Sequence, residues 1–332
     1  MTSAHAVVPL DASHATAAAA LVTVGVRRMR LAVPVLPAAW SDTAVVERLT
    51  RALAERGNGA ALLVDGELVG FQAATLLDGH GSRWAYTPDI GHATAGIAAG
   101  GSLDVERVVE RLYAALADGW VRAACVEHVV TVLADDAPVL AAFGRLGFAP
   151  HVVDLVRDVS PLAGAVVPVG VTIRRASPAD AAAVLELHAG LVRHLRASPV
   201  FLRTPGAPVL EIQRRRLEDP ASATFVAFAD DQPIAYLRIG PSADDVATIV
   251  RDPGTASITA AYTTPSTRGR GVASALLDAA LEWARESGYV RCAADHEAAN
   301  GEAGRFWARH LAPVAVSLAR RLPAGTVPDV MP

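Results

Sequence analysis

The stretch from Ser257 to Arg285, SITAAYTTPSTRGRGVASALLDAALEWAR, limits the architecture more than any other part of the chain. An alternating, β-branched run ends in Thr263 and Thr264 and meets a Pro-Ser-Thr turn. Arg268-Gly269-Arg270-Gly271-Val272-Ala273 then opens a segment whose apolar residues recur at helical spacing. The reading is strand, loop, helix. The first turn of such a helix has backbone N–H groups with no intrahelical partner, and glycines at 269 and 271 let a bulky anion approach them without a Cβ in the way. Those N–H groups, the helix dipole and the rim charges of Arg268 and Arg270 together favour a pyrophosphate. A surface turn capping an amphipathic helix would use the same residue types.

The pattern Arg-x-x-Gly-x-Ala after a strand resembles the coenzyme A pyrophosphate loop of the GNAT superfamily of N-acyltransferases. Downstream, Ala294-Asp295-His296-Glu297-Ala298-Ala299-Asn300, followed by Ala303, Phe306 and Trp307, is similar to that superfamily's next strand, cofactor-contacting Asn and following helix. Asn occurs only at positions 58 and 300, so its appearance there is not compositional noise.

The chain has 332 residues, 52% of them hydrophobic, which is long for one compact unit, and two domains are expected. Net charge is −4 and the arginines are spread along helices, which gives no basis for a nucleic-acid or anionic-membrane partner. Every basic side chain in the Lys+Arg count is arginine, so lysine Schiff-base or lysine general-base chemistry is excluded. With heavy use of Ala, this is the bias of a GC-rich bacterial coding sequence. Cys125 and Cys292 both fall in β-like runs and read as buried reduced thiols of a cytoplasmic protein. The Ala-rich segment from Ala15 to Val26 is too short to span a bilayer, and Asp11 precedes it.

The order of elements repeats. A strand at 6–10, helices after Ser13 and Asp42, and a hairpin turning at Asp65-Gly66 open the chain. The opening is echoed by a strand at 171–175, helices after Ser177 and Pro208, and a hairpin turning at Asp230-Asp231. Gly119-Trp120-Val121-Arg122 echoes Gly288-Tyr289-Val290-Arg291, each at the expected start of a strand. Setting these against each other places Ala99–Asp104 opposite 268–273. Both arginines are then missing, Asp104 falls in the first helical turn, and Asp136 stands at the Asn position. The first copy therefore reads as fold-competent but without a cofactor site. Residues 1–160 are expected to form this degenerate GNAT-like domain, 161–170 a Pro/Gly/Val-rich linker, and 171–332 the acyltransferase domain. A last strand is expected at 314–322 as a hairpin-like return. The fold class is α/β (α+β), each domain a mixed, mainly antiparallel sheet flanked by helices.

The resemblance implies direct transfer of an acyl group, usually acetyl, from acetyl-CoA as co-substrate to a small-molecule amine. Pantetheine-binding backbone would come from Ala261, Tyr262, Thr263 and Thr264. The pyrophosphate would be held by Arg268, Gly269, Arg270, Gly271, Val272 and Ala273, with Asn300 and Phe306 completing the cofactor contacts. The acceptor must lose a proton before it attacks, so a base or water relay is required. Asp295, Glu297 and His296 are the candidates. Strand alternation puts 295 and 297 on one face and 296 on the other, and the two carboxylates could equally cap the following helix. Many relatives carry a Tyr at the position of Trp307 to protonate the leaving thiolate, and an indole is not a useful acid. Water, Tyr262 or Tyr236 remain for that role. His188 and His194 lie where the family often lines its acceptor pocket, and no His or Cys cluster has metal-ligand spacing. A mycothiol-synthase-like acyltransferase on an amino sugar conjugate, a non-catalytic coenzyme A sensor and a protein-acetylating enzyme stand as alternatives. Monomer and homodimer are both open.

Overall fold

The computed structural model describes residues 4–79, 82–95, 104–202, 209–242, 246–323 and 325–326. The chain divides into two units. One comprises residues 1–154, 247–249 and 313–332, the other residues 155–246 and 250–312. The sequence expectation assigns 313–332 to the second copy and breaks the chain at 161–170; by contacts, 313–332 group with the first unit and 155–170 with the second.

The N-terminal half of the chain runs β1 (His5–Pro9), α1 (Ala15–Ala32), α2 (Thr43–Ala54), β2 (Gly59–Val64), β3 (Glu67–Ala73), β4 (Thr75–Gly79), β5 (Ser82–Thr87) and β6 (His92–Thr94). It continues through α3 (Val105–Arg122), β7 (Cys125–Leu133), α4 (Ala137–Arg145) and β8 (Ala149–Asp158). Asp65 and Gly66 both take positive φ, 51° and 87°, which is the type I′ turn read from the sequence. One sheet has the order β1-β2-β3-β6, and β4, β5 and β7 are consecutive in another. Val108, Leu112 and Tyr113 of α3 bury their apolar stripe with Leu62, Val130 and Val132. Each such side chain is worth about 1.5–3 kcal/mol when fully buried.

The C-terminal half repeats the plan. Its elements are β9 (Val171–Arg175), α5 (Ala181–Arg196), α6 (Leu210–Glu218), β10 (Ala223–Ala229), β11 (Gln232–Pro241), β12 (Thr255–Thr263), α7 (Val272–Glu286), β13 (Arg291–Glu297), α8 (Gly301–Trp307) and β14 (Ala312–Arg321). The strands of the second unit run β13-β12-β11-β10-β9, antiparallel except for β12 against β13. The fold is thus mixed α/β with mainly antiparallel sheets flanked by helices, as the sequence indicates. The expected final strand forms, but not as a hairpin-like return. It runs antiparallel to β7, from Ala315 opposite Leu133 to Arg321 opposite Glu127, with Thr131 Oγ1 and Ser317 Oγ 2.8 Å apart.

The four-residue echo does not mark equivalent positions. Gly119 lies inside α3, which continues to Arg122, whereas Gly288 follows the end of α7 with φ 86°. Aligning the helix starts instead makes Asp104 the counterpart of Gly271, since each is the cap of its helix. The Asp104 carboxylate accepts the Arg107 N–H at 2.8 Å and so occupies the end of α3 with the chain's own charge. Asp136 and Asn300 are likewise equivalent caps, of α4 and α8. The loop expected at Ala99–Leu103 lies outside the described residues. Cys125 and Cys292 are both buried free thiols, and burial pushes Cys292 up to about 12.

Candidate active site

In the second unit β12 begins beside β13 and then leaves it. The parallel pairing runs from Thr255 opposite Arg291 to Ile258 opposite Ala294 and stops there. On its other edge β12 slips register against β11, where Ile239 faces Ile258 but Arg238 faces Ala260. The extra residue, Thr259, is a β-bulge, which bends a strand and terminates pairing. Beyond it Ala261, Tyr262 and Thr263 have no β13 partner, and all three line a cavity of about 630 Å³. The two strands therefore part at this point, in the chain's own register.

The cavity's floor is the turn into α7. Gly269 and Gly271 have φ of 75° and 86°, which an L side chain adopts only with strain. A Cβ at Gly269 would meet nothing within 4 Å, so backbone conformation and not crowding makes glycine necessary there. Gly271 is the cap of α7 and supplies no side-chain acceptor to its first turn. That turn, Val272, Ala273 and Ser274, faces the cavity with the positive end of the helix dipole. The starts of α1, α5 and α6 also lack a side-chain cap, whereas α2, α3, α4 and α8 are capped by Asp or Asn side chains that accept a backbone N–H.

Arg268 is at the cavity but engaged. Its Nε donates to the Thr263 carbonyl at 3.1 Å, its Nη1 pairs with Glu302, and its guanidinium lies 5.9 Å from the Tyr262 ring centre. Thr264 and Arg270 are not among the lining residues, whereas Asn300 and Phe306 are. Asn300 accepts the Ala303 N–H at 3.2 Å, and His194 Nε2 lies 3.5 Å from the same oxygen. Sequence reading did not assign Glu302, Arg305 and Arg309 of the α8 segment, Ser274, or Leu191 to the site, yet all line the cavity. The i, i+3 and i+7 spacing of 302, 305 and 309 after the Asn300 cap is the spacing of one helical face, carried one turn past the end of α8.

The proposed acid–base residues separate. Along β13 Asp295 is exposed, His296 buried and Glu297 intermediate, the alternation expected of a strand, and none of the three lines the cavity. Asp295 is the first residue past the last β12–β13 pair. His296 Nδ1 lies 2.9 Å from the Glu297 carbonyl, and its ring sits 3.2 Å from where a Cβ on Gly304 would stand, so it packs under α8. Tyr262 lines the cavity, held against Gly190 of α5. Tyr236 is fully buried, bonded through its hydroxyl to His188 Nδ1 at 2.8 Å, and burial raises its pKa, which makes it a poor proton donor. Desolvation lowers His188 to about 4, so the imidazole is neutral. Trp307 is buried and lines the cavity in the place of the family's Tyr. Among the described residues no group of His, Cys, Asp and Glu could hold a metal ion, and no helix is long and apolar enough to cross a membrane.

The chain is similar to the GCN5-related N-acetyltransferase from Sphaerobacter thermophilus, at 17% identity over 97% of this chain and 96% of that one, with a TM-score of 0.55. A looser likeness is to a tandem GNAT protein from the clavulanic acid biosynthesis pathway, at 16% identity over 96% and 98% of the two chains, with a TM-score of 0.45. At these identities the likeness is one of fold. No curated protein matches the sequence. Residues 190–312, which contain the whole cavity lining, match the Acetyltransferase (GNAT) family, and the chain carries a domain of that family there.

Proposed function

We propose that the second unit is an acetyl-CoA-dependent N-acetyltransferase acting on a small-molecule amine, and that the first unit has no cofactor site. The observation that carries the reading is the uncapped start of α7, with positive-φ glycines at 269 and 271, opening on a cavity bounded by the end of β12 that has left β13. Acetyl-CoA supplies the thioester. Backbone from 269 to 273 would hold its pyrophosphate, and free edge groups of Ala261 to Thr263 would align the pantetheine arm, with Asn300 and Phe306 on the opposite side. Arg268, already tied to Thr263 and Glu302, fixes the rim more than it adds free charge.

Asp295 is the group we assign to receive the amine proton, because it is exposed and sits where β12 leaves β13. Glu297 follows on the same face as an auxiliary anion for a cationic acceptor. His296 serves by positioning α8 through its packing beneath Gly304. Tyr262, whose phenol lines the cavity, is the donor to the leaving thiolate. Preorganised dipoles at the α7 start and rigid strand backbone do the rest by positioning.

One observation favours a second reading, a coenzyme A sensor: an indole stands where a phenol is usual, and Asp295 and Glu297 lie off the cavity lining. Thiol release from acetyl-CoA, followed over a panel of amines that includes amino sugar conjugates, separates the two. Amine-dependent release supports transfer, and tight binding without release from any amine supports sensing.

A further inference from the structure

Arg238 lies on β11 and is only 7% exposed. A guanidinium taken out of water is costly unless a carboxylate or a full set of acceptors receives it. Here Nη2 donates to Gln213 Oε1 of α6 at 2.9 Å, itself 1% exposed, while Nε has no acceptor. Among the described residues no carboxylate pairs with Arg238. Burial lowers its pKa, partly opposed by Tyr236, and the neighbouring charge of Arg216 lowers it further.

The residue directly across from Arg238 on β10 is Thr224, which is 3% exposed, and its hydroxyl also lacks a partner. Directly paired residues of adjacent strands project to the same face. An unfilled donor pair, a guanidinium Nε and a hydroxyl, therefore stands side by side in a buried setting with positive charge and, among the described residues, no carboxylate paired to it.

Its location gives it a use. Arg238 is in register with Ala260, the first residue after the β12 bulge, and β12 leaves β13 immediately before that bulge. Adjacent strands are about 4.8 Å apart, so Arg238 is one strand, and Thr224 two, from the β12 segment beside which the acyl group and the amine must meet. Tyr236, two residues along β11 on the same face, faces Tyr262 of the cavity wall across the same pair of strands.

We propose that Arg238, with Thr224, anchors a carboxylate carried by the amine acceptor, which makes the acceptor class amino acids and related amino carboxylates. Gln213 holds the guanidinium in place, leaving Nε for the ligand. The inference rests on the acetyl-transfer reading for what happens to the amine, but not for the anion site itself.

The test uses the full chain saturated with coenzyme A for binding and with acetyl-CoA for turnover. The probes are the common amino acids, the matching amino acid amides and the matching decarboxylated amines. The expected result is binding of one or more of the acids, at least thirtyfold tighter than the corresponding amide. That preference collapses in Arg238→Gln and weakens severalfold in Thr224→Val, while the affinity for acetyl-CoA is unchanged. Unchanged acetyl-CoA affinity also shows that each variant has folded; should Arg238→Gln fail that check, Thr224→Val carries the comparison. Arg238-dependent binding of an acid without thiol release would sustain the anion site and remove acetyl transfer. Thiol release with amides or amines equal to that with acids, or a preference that survives Arg238→Gln, would overturn the anion site and leave transfer standing. Absence of any acid that binds in an Arg238-dependent way would also overturn it.

Discussion

Gly190 offers a substitution whose sign depends on one neighbour. It sits in the buried face of α5, where replacing Gly by Ala normally stabilises a helix by about 0.5–1 kcal/mol. Here a Cβ would stand 2.6 Å from Tyr262 Cε1, 2.8 Å from Cζ and 2.9 Å from the hydroxyl oxygen. Carbon contacts are comfortable at about 3.5–4.0 Å, so the ring must retreat by roughly 1 Å, and the only open side is the cavity it lines. Overpacking of this kind costs about 1–3 kcal/mol, which outweighs the helix gain. Gly190→Ala should therefore destabilise the protein by about 1–2 kcal/mol in urea titrations and weaken acetyl-CoA binding severalfold. In a Tyr262→Leu background the same change should become neutral or stabilising, giving a coupling of at least about 1 kcal/mol in the double-mutant cycle. If Gly190→Ala stabilises the wild-type protein and leaves acetyl-CoA affinity alone, the packing of Tyr262 against α5 is not as described.

Asp295→Ala should lower kcat by about a hundredfold or more with acetyl-CoA affinity intact, and Glu297→Ala should do less; wild-type pH profiles in both variants would transfer the proton to water. Tyr262→Phe should slow turnover at unchanged acetyl-CoA affinity, and an unaffected rate would remove it as the acid. His128, buried beside Tyr113 and Trp120, is lowered to about 4, by desolvation first and then by Arg320. An unfolded histidine takes its proton near pH 6.5, so the unfolded state binds more protons between about 6.5 and 4, and stability falls as pH drops through that window. The urea midpoint should follow this course in the wild-type chain, and His128→Gln should flatten part of it.

What the sequence made legible was local. Gly269 and Gly271 stand out because a left-handed backbone before a helix restricts the residue type at that position, and the Asp65-Gly66 turn is readable for the same reason. Asn300 stands out because Asn occurs at only two positions, and the structure adds that it caps α8. Pairings between distant segments were not, because a strand's own pattern says which face is buried and not which neighbour it takes. The run at 312–321 alternates as any strand would, yet its partner is β7. The echo at Gly119 misled for a related reason: α3 keeps its helical hydrogen bonds through Arg122, and Ala124, with φ 62°, takes the left-handed position after the helix that Gly288 takes after α7. Arg238 reads in sequence as one arginine among many. Only the burial given by α6 and the missing acceptor for Nε set it apart.

On the proposed function each chain binds one acetyl-CoA, at the start of α7. Isothermal titration of acetyl-CoA into the full chain and into Gly271→Asp measures this directly. A carboxylate at 271, on a backbone whose φ of 86° an L residue takes only with strain, would set a like charge against the pyrophosphate. At a separation of about 4 Å and an effective dielectric of about 20 that repulsion approaches 4 kcal/mol, and even half of it surviving screening weakens binding about thirtyfold. The account predicts a stoichiometry of one that falls below detection or loses at least thirtyfold in affinity in the variant. Two equivalent sites, or one site indifferent to Gly271→Asp in a folded protein, would contradict it.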